Sequence, residues 1–314
     1  MSKPKILVVG SMNMDAMIYG VPKIPDFGES VLCRYYAYVP GGKGSNQAMA
    51  AAFQGADVTM VGRVGDDDNG YALVNDLKKA GVDTQFIVFD PDEQTGFDPI
   101  MVDESGKYVS YVVMGANDKL DFNQVRSAID AKDYDMVVMQ LEMPLETVYK
   151  TYEYASEKGI RVFLDAGPAQ SISLERLKNI FIISPNEAET KALTGIDADT
   201  EEKAIAAAKK LYDEVKPKHV ILKMGCRGAL LYNENTVKIV PCFKVNALDS
   251  TAAGDTFGAA LAIQLCKGEG METAIRFAHA AAGICVSRKG AQTSIPTEEE
   301  VIAFLKRYEK EEVK

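Results

Sequence analysis

Residues 5–10 read Lys-Ile-Leu-Val-Val-Gly, a short apolar run that ends at a glycine. Runs of this length, rich in β-branched residues, are typical of strands that are covered on both faces of a sheet. Five similar runs follow along the chain and are separated by longer segments. Together the six runs predict strands at 5–9, 58–61, 136–140, 160–164, 181–184 and 219–223.

Between several of these strands lie segments with helical patterns. The predicted helices 45–54, 71–80 and 145–158 each stop immediately before a glycine, the residue that commonly ends a helix. A fourth, 200–215, opens with an acidic first turn that suits the positive end of the helix dipole. Repeated β-then-α units predict an α/β fold, in which a mainly parallel, doubly wound, Rossmann-like sheet lies between two layers of helices. A last, strongly charged helix at 297–312 is expected on the surface.

Two segments interrupt this alternation and lack convincing helices. Residues 14–39 contain prolines and glycines, and residues 95–114 predict two strands around a hairpin turn at Asp103-Glu104-Ser105-Gly106. We expect these insertions to form a small β-sheet that lies at the edge of the main sheet as a lid; edge strands of the main sheet are the alternative. No long linker is visible, so residues 1–314 are predicted to form a single domain that carries this lid.

The charge of the chain limits its partners. Among 314 residues, 35 are Lys or Arg and 45 are Asp or Glu, which gives a formal net charge of −10. A general nucleic-acid binder needs a basic face that replaces counterions, so we expect no nucleic-acid partner. A phosphate ligand is still allowed, because backbone amides can bind it locally. No stretch approaches the roughly 18 apolar residues of a membrane span, so we expect no membrane partner.

The cysteines and histidines narrow the chemistry further. The five cysteines are odd in number, widely spaced and without a C-x-x-C pair. This pattern indicates reduced thiols and a cytoplasmic location, and it argues against a disulfide framework or a zinc site. The two histidines are His219 and His279. A Ser-His-Asp mechanism or a histidine-ligated metal therefore has very few candidates.

The segment 249–257, Asp-Ser-Thr-Ala-Ala-Gly-Asp-Thr-Phe, carries the sharpest chemical signal. Its small residues lead into a predicted helix at 256–267, and they let backbone amides point outward from the helix start, where an anion is attracted. Asp255 suits a base that takes a proton from an attacking hydroxyl while the amides stabilise phosphoryl oxygens. An aspartate capping box with a glycine turn is an equally good interpretation of this segment alone.

A second glycine-rich segment, 40–47, reads Pro-Gly-Gly-Lys-Gly-Ser-Asn-Gln and stands just before a helix. Its glycines allow a polyhydroxyl ligand to approach the backbone, and Lys43 and Asn46 offer hydrogen-bond donors, although many such loops are only turns. The segment is neither a Walker A loop nor a dinucleotide-binding turn. Since no dinucleotide glycine turn follows the first strand either, a nicotinamide dehydrogenase is disfavoured.

Polar residues follow the ends of several predicted strands, where α/β proteins place their ligands. Asn13 and Asp15 point the same way if the chain is extended, and they suit adjacent sugar hydroxyls or form an Asx turn. Glu142 follows the third strand. Asn186 follows the fifth, where it can cap a helix and nearby carboxylates can hold magnesium through water. Residues 223–228 follow the sixth strand. Five such elements on one edge of a sheet predict a ligand site.

Taken in order, these segments resemble the ribokinase (PfkB-type) family of carbohydrate kinases. The resemblance implies a three-layer α/β/α domain with a β-sheet lid that often forms the interface of a homodimer. It also implies ATP-dependent phosphorylation of the terminal hydroxyl of a pentose, with ribose as the expected substrate and its 5-phosphate as the product. The matching pieces, which run from Lys5 to about Leu305, are 10–15, 41–47, 186–189, 249–255, 274–280 and 288–292 with Ser294 and Pro296.

The resemblance also implies roles for individual residues. Asp255 is expected to deprotonate the sugar hydroxyl, beside the anion-hole amides of Ala252, Ala253 and Gly254. The residues expected to bind the sugar are Asn13, Asp15, Gly41, Gly42, Lys43, Asn46 and Glu142. Those expected at the ATP site are Asn186, Lys223, Gly225, Arg227, Gly228, Gly254 and His279, with Glu189 organising Mg²⁺ and its waters. A monovalent cation, usually K⁺, is expected beside Asp249, Thr251, Cys285, Arg288, Gly290 and Ser294.

Some positions depart from the family pattern or allow a second interpretation. Gly258 replaces a frequent Asn, and Met14 lies between the two sugar-binding residues, where it could favour a sugar that lacks a hydroxyl. His279 alone would be a packed core residue, but the resemblance places it beside adenine. The tyrosine-rich stretch 35–38 is interpreted as a dimer contact, with a sugar-facing surface as the alternative. The alternative functions are a deoxyribose or ketose kinase and a non-catalytic sugar- or nucleotide-binding protein of the same fold.

Overall fold

The computed structural model describes residues 3–104 and 108–312. Its strands are β1 (Lys5–Val9), β2 (Asn13–Val21), β3 (Tyr35–Gly41), β4 (Asp57–Gly65), β5 (Asp83–Asp90), β6 (Gly96–Asp103), β7 (Tyr108–Ser110), β8 (Met136–Met139), β9 (Arg161–Asp165), β10 (Ile182–Ser184), β11 (His219–Lys223), β12 (Ala229–Asn233) and β13 (Thr236–Val240). Its α-helices are α1 (Lys43–Phe53), α2 (Asp68–Lys79), α3 (Phe122–Ala131), α4 (Leu145–Glu157), α5 (Glu187–Thr194), α6 (Glu201–Val215), α7 (Ala253–Cys266), α8 (Met271–Val286) and α9 (Glu298–Glu312).

Nine strands form one large sheet in the order β13-β12-β11-β10-β9-β8-β1-β4-β5. The strands from β11 to β5 in this order are parallel, and β12 and β13 are added antiparallel at one edge. All six strands predicted from the sequence lie in this sheet, and the predicted α/β fold is confirmed. The chain leaves β1 first towards β4 and later towards β8, so the winding direction changes between β1 and β8. Ligands of doubly wound sheets bind outside the carboxyl ends of the strands at such a point.

The side chains of β1 divide the hydrophobic core into two layers. Ile6 and Val8 belong to the cluster that includes α1, α7 and α8, whereas Leu7 and Val9 belong to the cluster that includes α3, α4 and α6. Because successive side chains alternate across a strand, only a continuous apolar run can fill both layers. All four side chains are completely buried, and burial of each contributes about 1.5–3 kcal/mol.

Four further strands form a separate small sheet in the order β3-β2-β6-β7. In it, β2 pairs antiparallel with β3 and parallel with β6, and β6 pairs antiparallel with β7. The small sheet is therefore distinct from the main one, and the alternative of edge strands is wrong. Two residues of the predicted hairpin turn, Ser105 and Gly106, lie outside the described residues.

The two faces of the small sheet differ in chemistry. Asn13 and Asp15 lie on one face of β2, and Asp98 of β6, the register partner of Asp15, lies on that face too. Met14 points the opposite way and packs into the core cluster of α1, α7 and α8. The side chain of Met14 therefore lies on the face of β2 opposite to Asn13 and Asp15, the two predicted sugar-binding residues.

The beginning of the small sheet lies at the carboxyl edge of the large one. β2 follows β1 after three residues, and β3 leads directly into α1 through Gly42. Val39 of β3 packs against Ala252, Cys285 and Ala291, so the small sheet covers the start of α7. Among the described residues, no helix is long and apolar enough to cross a membrane.

Candidate active site

The carboxyl ends of five neighbouring strands and the first turns of three helices meet beneath the small sheet. The strand ends are those of β1, β8, β9, β10 and β11, and the helices are α1, α5 and α7. They bring together buried charged residues that are far apart in the sequence. The predicted residues in this group are Asp15, Lys43, Glu142, Glu189, Lys223 and Asp255.

Asp255 lies in the first turn of α7 and is 5% exposed. Its Oδ2 accepts a hydrogen bond from Asn46 Nδ2 at 2.9 Å, and its Oδ1 is buried without a partner among the described residues. Burial raises the pKa of this carboxyl to about 6, with the ammonium of Lys43 acting in the opposite direction. The carboxylate is thus ionised at neutral pH but close to its titration range, as a general base requires.

The start of α7 has an unusual backbone. Its N-cap, Ala252, has a φ of 60° and a ψ of 5°, and the described residues give the helix no side-chain cap. A left-handed conformation at a residue other than glycine costs of order 1–3 kcal/mol and is concentrated at functional sites. The first amides of α7 therefore have no side-chain acceptor among the described residues, although the N–H of Ala253 donates to the carbonyl of Ser250 at 3.3 Å. Asp255 does not have the capping contact that its position in the sequence allowed.

Lys43 is the cation at the centre of the carboxylates. Burial alone would lower its pKa, but the charges of Asp255, Glu142 and Asp165 outweigh burial and raise the pKa above its usual value. Its backbone N–H donates to Glu142 Oε2 at 3.2 Å. Ser11 Oγ donates to the same oxygen at 2.5 Å. The glycine-rich turn and the end of β8 are thereby fixed to each other.

Two glycines of the turn allow close approach of polar groups. An ideal Cβ on Gly41 would lie 2.2 Å from Asp15 Oδ2, so the Asp15 carboxyl rests on bare backbone. Gly42 has a φ of +88°, and a Cβ there would lie 2.7 Å from the backbone N of Asn13. Side chains at either position would displace Asn13 or Asp15.

Two residues at the predicted sugar end were missed in the sequence. Asn117 is 1% exposed; its Oδ1 accepts from the N–H of Met12 at 2.9 Å, and its Nδ2 donates to Asn13 Oδ1 at 2.7 Å. Asn13 Nδ2 in turn donates to Asp98 Oδ2 at 3.2 Å. Asn117 therefore fixes the orientation of Asn13, and Asp98 adds a carboxyl to the site. No local pattern distinguished either residue.

Four acceptor oxygens of the site are buried without a partner among the described residues. They are Asp15 Oδ1, Asn46 Oδ1, Asp98 Oδ1 and Asp255 Oδ1. Buried polar atoms are normally hydrogen-bonded, and an unpaired one costs about 1–3 kcal/mol. A group of acceptors on several elements fits a ligand that carries several hydroxyl donors.

Lys223 and Asp165 form a buried ion pair beside the start of α7. Lys223 Nζ lies 2.7 Å from Asp165 Oδ1, and the two side chains are 14% and 1% exposed. An ideal Cβ on Gly254 would lie 3.6 Å from the same ammonium, so the cation lies beside the first turn of α7. Asp165 also accepts from Gln47 Nε2 at 3.1 Å. Asp165 was missed in the sequence, although it directly follows the predicted strand 160–164, as other site residues follow their strands.

Asn186 and Glu189 form a reciprocal capping box at the start of α5. Asn186 Oδ1 accepts from the backbone N–H of Glu189 at 2.9 Å, and Glu189 Oε2 accepts from that of Asn186 at 2.6 Å. The predicted capping role of Asn186 is confirmed. Glu189 is 3% exposed, and burial raises the pKa of its carboxyl while the charge of Lys223 opposes that shift.

The other residues predicted at the ATP site lie farther towards β12 and β13. A short 3₁₀ turn after β11 begins at Gly225 and ends before Gly228, and these glycines have positive φ values of 54° and 94°. Arg227 is bound to Glu187 and donates to the carbonyl of Asp199 at 3.0 Å. Its guanidinium is thus held by protein acceptors on the outer side of the turn.

His279 is an interior residue of α8. Its Nε2 lies 3.1 Å from the carbonyl oxygen of Val240, and its ring packs against Phe257. Burial lowers the pKa of His279 to about 4, so the ring is neutral at physiological pH. It is 7% exposed and makes no contact with the carboxylates beneath the small sheet in the described part of the chain.

The residues predicted to hold a monovalent cation lie in the segment before α7, in the last turn of α8 and in the segment that follows α8. Asp249 Oδ1 accepts from Thr251 Oγ1 at 2.7 Å, and Asp249 Oδ2 accepts from the N–H of Gly290 at 3.0 Å. Cys285 Sγ lies 3.0 Å from Ser294 Oγ. Arg288 is the exception, because its guanidinium turns outward to Glu300 of α9 at 2.6 Å.

Close packing of α7 on the main sheet explains Gly258, the glycine that replaces a frequent Asn of the family. A Cβ on Gly258 would lie 3.2 Å from Cε1 of Phe163 and 4.0 Å from Gln47 Nε2. Phe163 is completely buried in β9. Gly258 therefore allows α7 to pack closely on the main sheet directly below the site, and a larger residue there would displace Phe163.

The chain is similar to known proteins in both sequence and structure. Residues 3–298 match the description "pfkB family carbohydrate kinase". A ribokinase from Haemophilus influenzae is 38% identical over 301 residues, which cover 96% of this chain and 98% of that protein. A deoxyribokinase from Salmonella typhi is 33% identical, with 96% and 98% covered. The solved structure of Arabidopsis thaliana ribokinase complexed with ribose and ATP has 31% identity and a TM-score of 0.87, and covers 98% of this chain and 99% of that one.

Proposed function

The chain belongs to the pfkB family of carbohydrate kinases, and from that membership we propose that it transfers the γ-phosphoryl group of ATP to the terminal hydroxyl of ribose. The observation that supports this activity best is the position of Asp255. Within the described part of the chain, its buried Oδ1 has no partner, and no side chain caps the helix in whose first turn it lies. A base and an anion site thus share one helical turn.

In the proposed reaction, the sugar hydroxyl gives its proton to the carboxylate of Asp255 as its oxygen attacks the γ-phosphorus. The bond from that phosphorus to the bridging oxygen breaks, and ADP leaves. The amides of Ala252, Ala253 and Gly254 stabilise the charge on the transferring oxygens. Asn46, which donates to Oδ2 of Asp255, keeps Oδ1 free for the proton. A positioned base of this kind contributes about 10²–10⁴-fold.

The sugar is proposed to bind between the small sheet and the glycine-rich turn. Asn13, Asp15, Asn46 and Glu142 offer oxygens to its hydroxyls, and Lys43 offers a cation that also keeps Asp255 ionised. Gly41 and Gly42 let Asp15 and Asn13 lie against the backbone of the turn, which keeps these two residues in place for the sugar. Packing of Val39 against Ala252 keeps the small sheet over the reacting groups, so that water is excluded and ATP is not hydrolysed.

ATP is proposed to extend from the start of α7 towards the 3₁₀ turn after β11. Lys223 lies beside Gly254 and is placed to attract the phosphates, whereas Asn186 marks the adjoining strand end. Gly225, where an added Cβ would meet no atom within 4 Å, would admit the nucleotide close to the backbone. Gly228 lies against the carbonyl of Val240, 2.3 Å from an ideal Cβ, and would shape the turn. The contacts of Arg227 and His279 support a different part for these two residues, in which they hold the walls of the site without touching the nucleotide.

Mg²⁺ is proposed to accompany ATP. Among the described residues, no group of three or more His, Cys, Asp or Glu side chains is arranged to hold a metal ion. Mg²⁺ commonly keeps several waters and uses one or two carboxylates together with substrate phosphates, which fits a site where Glu189 is the nearby carboxylate. When bound, the ion would neutralise charge on the phosphates, and Glu189 would hold one of its waters.

A monovalent cation, K⁺ in the first instance, is proposed for the loops around Asp249. The groups there are a carboxylate, hydroxyls and backbone carbonyls, hard oxygen donors that suit an alkali ion. The group is directly connected to the anion site, because Cys285 and Ala291 pack against Ala252. When bound, the cation would hold the strained start of α7 in position. Arg288, which pairs with Glu300, would contribute through its backbone.

The small sheet is also proposed to form a homodimer. Tyr36 and Tyr38 are 67% and 60% exposed and lie on the face opposite to Asp15. A surface cavity of about 490 Å³ opens between them, Phe97 and Pro99. Exposed aromatic surface of this kind is typical of interfaces.

The five free cysteines of the chain support a reducing, cytoplasmic location.

Deoxyribose is the second candidate substrate, because a deoxyribokinase is among the relatives. The experiment is a coupled assay of ADP release with ribose, 2-deoxyribose and ketoses, followed by ³¹P NMR of the product. We expect release that depends on ribose and a phosphate on the terminal carbon. Preference for 2-deoxyribose or a ketose would reassign the substrate. Absence of ADP with every sugar, together with measurable sugar binding, would replace the kinase by a binding protein.

A further inference from the structure

Two carboxyl groups lie side by side at the sugar end of the site. Asp15 on β2 and Asp98 on β6 are register partners in parallel strands, so their side chains project from the same face of the small sheet. They are 6% and 9% exposed. Each keeps one buried oxygen, Oδ1, that has no partner among the described residues.

The contacts around Asp98 leave this oxygen for a ligand. Asn117 Nδ2 donates to Asn13 Oδ1, so the amide nitrogen of Asn13 must face Asp98, where it donates to Oδ2. With Oδ2 occupied, Oδ1 is the atom of Asp98 that can accept from another molecule. A second acceptor, Asp15 Oδ1, belongs to the neighbouring strand. Two acceptors on neighbouring strands are thus available to a hydroxyl group of a ligand.

Placing these two acids together is unfavourable for the empty protein. Burial raises the pKa of Asp15 to about 8, with the charges of Asp98, Glu142 and Asp255 adding to the shift. Burial likewise raises the pKa of Asp98 to about 7, and the charge of Glu142 adds to the shift. Hydrogen bonds from the Asn13 side chain and the Val113 backbone, and the charge of Lys43, oppose it. Near neutral pH the pair therefore retains a proton, and it presents a donor together with acceptors. A hydroxyl group, which donates and accepts, is the ligand that satisfies both.

We propose that Asp98 is a specificity-determining residue of the sugar site, and that its carboxyl and that of Asp15 together bind one hydroxyl of the sugar ring other than the hydroxyl that is phosphorylated. This inference rests on the proposed function. It goes beyond that function because it adds a residue of β6, Asp98, to the groups that select the substrate. A sugar that lacks the bound hydroxyl leaves both carboxyls buried without a partner. Sites built on hydrogen bonds to a hydroxyl reject such analogues strongly for this reason.

The competing explanation is that Asp98 acts only by holding Asn13. In that case its removal would weaken the binding of every sugar by a similar factor. Direct recognition predicts a loss that depends on which hydroxyl the sugar carries. The two explanations are therefore separated by ratios between sugars and not by the size of the loss with any single sugar.

The experiment compares ribose with its 1-deoxy, 2-deoxy and 3-deoxy analogues in the wild type, Asp98→Ala and Asp98→Asn. Asp133→Ala is the control, because this exposed aspartate precedes β8 at the amino edge of the main sheet, opposite to the edge that carries the site. For each protein, kcat/KM is measured with every sugar and the affinity for every sugar is measured by calorimetry. We expect the wild type to prefer ribose to one analogue by about 100-fold or more, and Asp98→Ala to reduce that one ratio by about tenfold or more.

Two outcomes overturn the inference. Unchanged ratios in Asp98→Ala, or an equal loss with all four sugars, would show that Asp98 does not contact the sugar. Asp98→Asn keeps an acceptor for Asn13 and serves if the alanine variant does not fold; it is expected to lower the same single ratio. A wild type that binds these sugars but phosphorylates none would refute the proposed kinase function, and the calorimetric ratios would still decide the part of Asp98.

Discussion

Replacing Asp98 by Asn is expected to stabilise the empty protein, and the gain is expected to grow with pH. The native fold raises the pKa of this carboxyl from 3.8 to about 7, chiefly by burial. The native state therefore holds the proton more tightly than the unfolded chain does. The resulting stability is fully present below about pH 4 and is lost as the pH rises through 7. Asn carries no proton and does not show this loss.

The size of the effect follows from the two pKa values. Between pH 5 and pH 8, the ionisation of Asp98 lowers the free energy of unfolding by about 2 to 3 kcal/mol, at 1.36 kcal/mol for each pKa unit. For a chain of 314 residues, the entropy of unfolding is about 0.7 kcal/mol/K, so this corresponds to about 4 °C in Tm. Asn can still accept from Asn13, which retains the one hydrogen bond that Asp98 makes to a side chain.

The assay is thermal and urea unfolding of the wild type and Asp98→Asn at pH 5 and pH 8, without ligand. The stabilisation by Asp98→Asn is expected to be larger at pH 8 by the amount given above. Asp133→Asn, at an exposed position, controls for the loss of one surface charge. A gain of equal size at both pH values, or a loss of stability at pH 8, would refute the idea that Asp98 is ionised against the preference of the fold.

Two further predictions concern catalysis and the support of the sugar site. Because burial raises the pKa of Asp255 to about 6, kcat/KM is expected to fall about tenfold for each pH unit below 6. In Lys43→Met, which removes a positive charge that lowers this pKa, the fall in kcat/KM should begin at a higher pH. A fall at the same pH as in the wild type would contradict the role of Asp255 as the base. Asn117→Ala removes the partners of Met12 N and Asn13 Oδ1 and is expected to lower the free energy of unfolding by about 2–4 kcal/mol. It is also expected to raise the KM for the sugar by a larger factor than the KM for ATP. An equal rise in both KM values would show a general loss of structure.

The sequence predicted the parallel core of the main sheet because its strands are short apolar runs that are buried on both faces. The remaining strands of that sheet, β5, β12 and β13, were missed. β13, with Thr236, Val237 and Lys238 partly or fully exposed, shows why: an edge strand carries a mixture of polar and apolar residues that resembles a loop. The hydrogen bonds to β12 that make it a strand depend on a neighbour that local sequence does not specify.

The site was predicted where its residues follow strand ends and was missed where tertiary pairing creates it. Asp165 obeys the same rule as Asn186 and could have been found by applying it to the strand 160–164. Asp98 belongs to an insertion, and its place beside Asp15 follows from the register between β2 and β6. Asn117 acts through backbone groups of Met12 and Met114. Neither arrangement has a period or motif in the sequence.

The account rests on Asp255 as the group that accepts the proton of the sugar hydroxyl. The most direct measurement is the rate of phosphoryl transfer by Asp255→Asn together with the affinity of the same variant for ribose. Asn at this position can still accept from Asn46, so the site is expected to remain assembled. We predict that kcat falls by about 10²–10⁴-fold while the Kd for ribose changes little. A variant that turns over near the wild-type rate, or that loses affinity for ribose as much as it loses rate, would contradict this assignment.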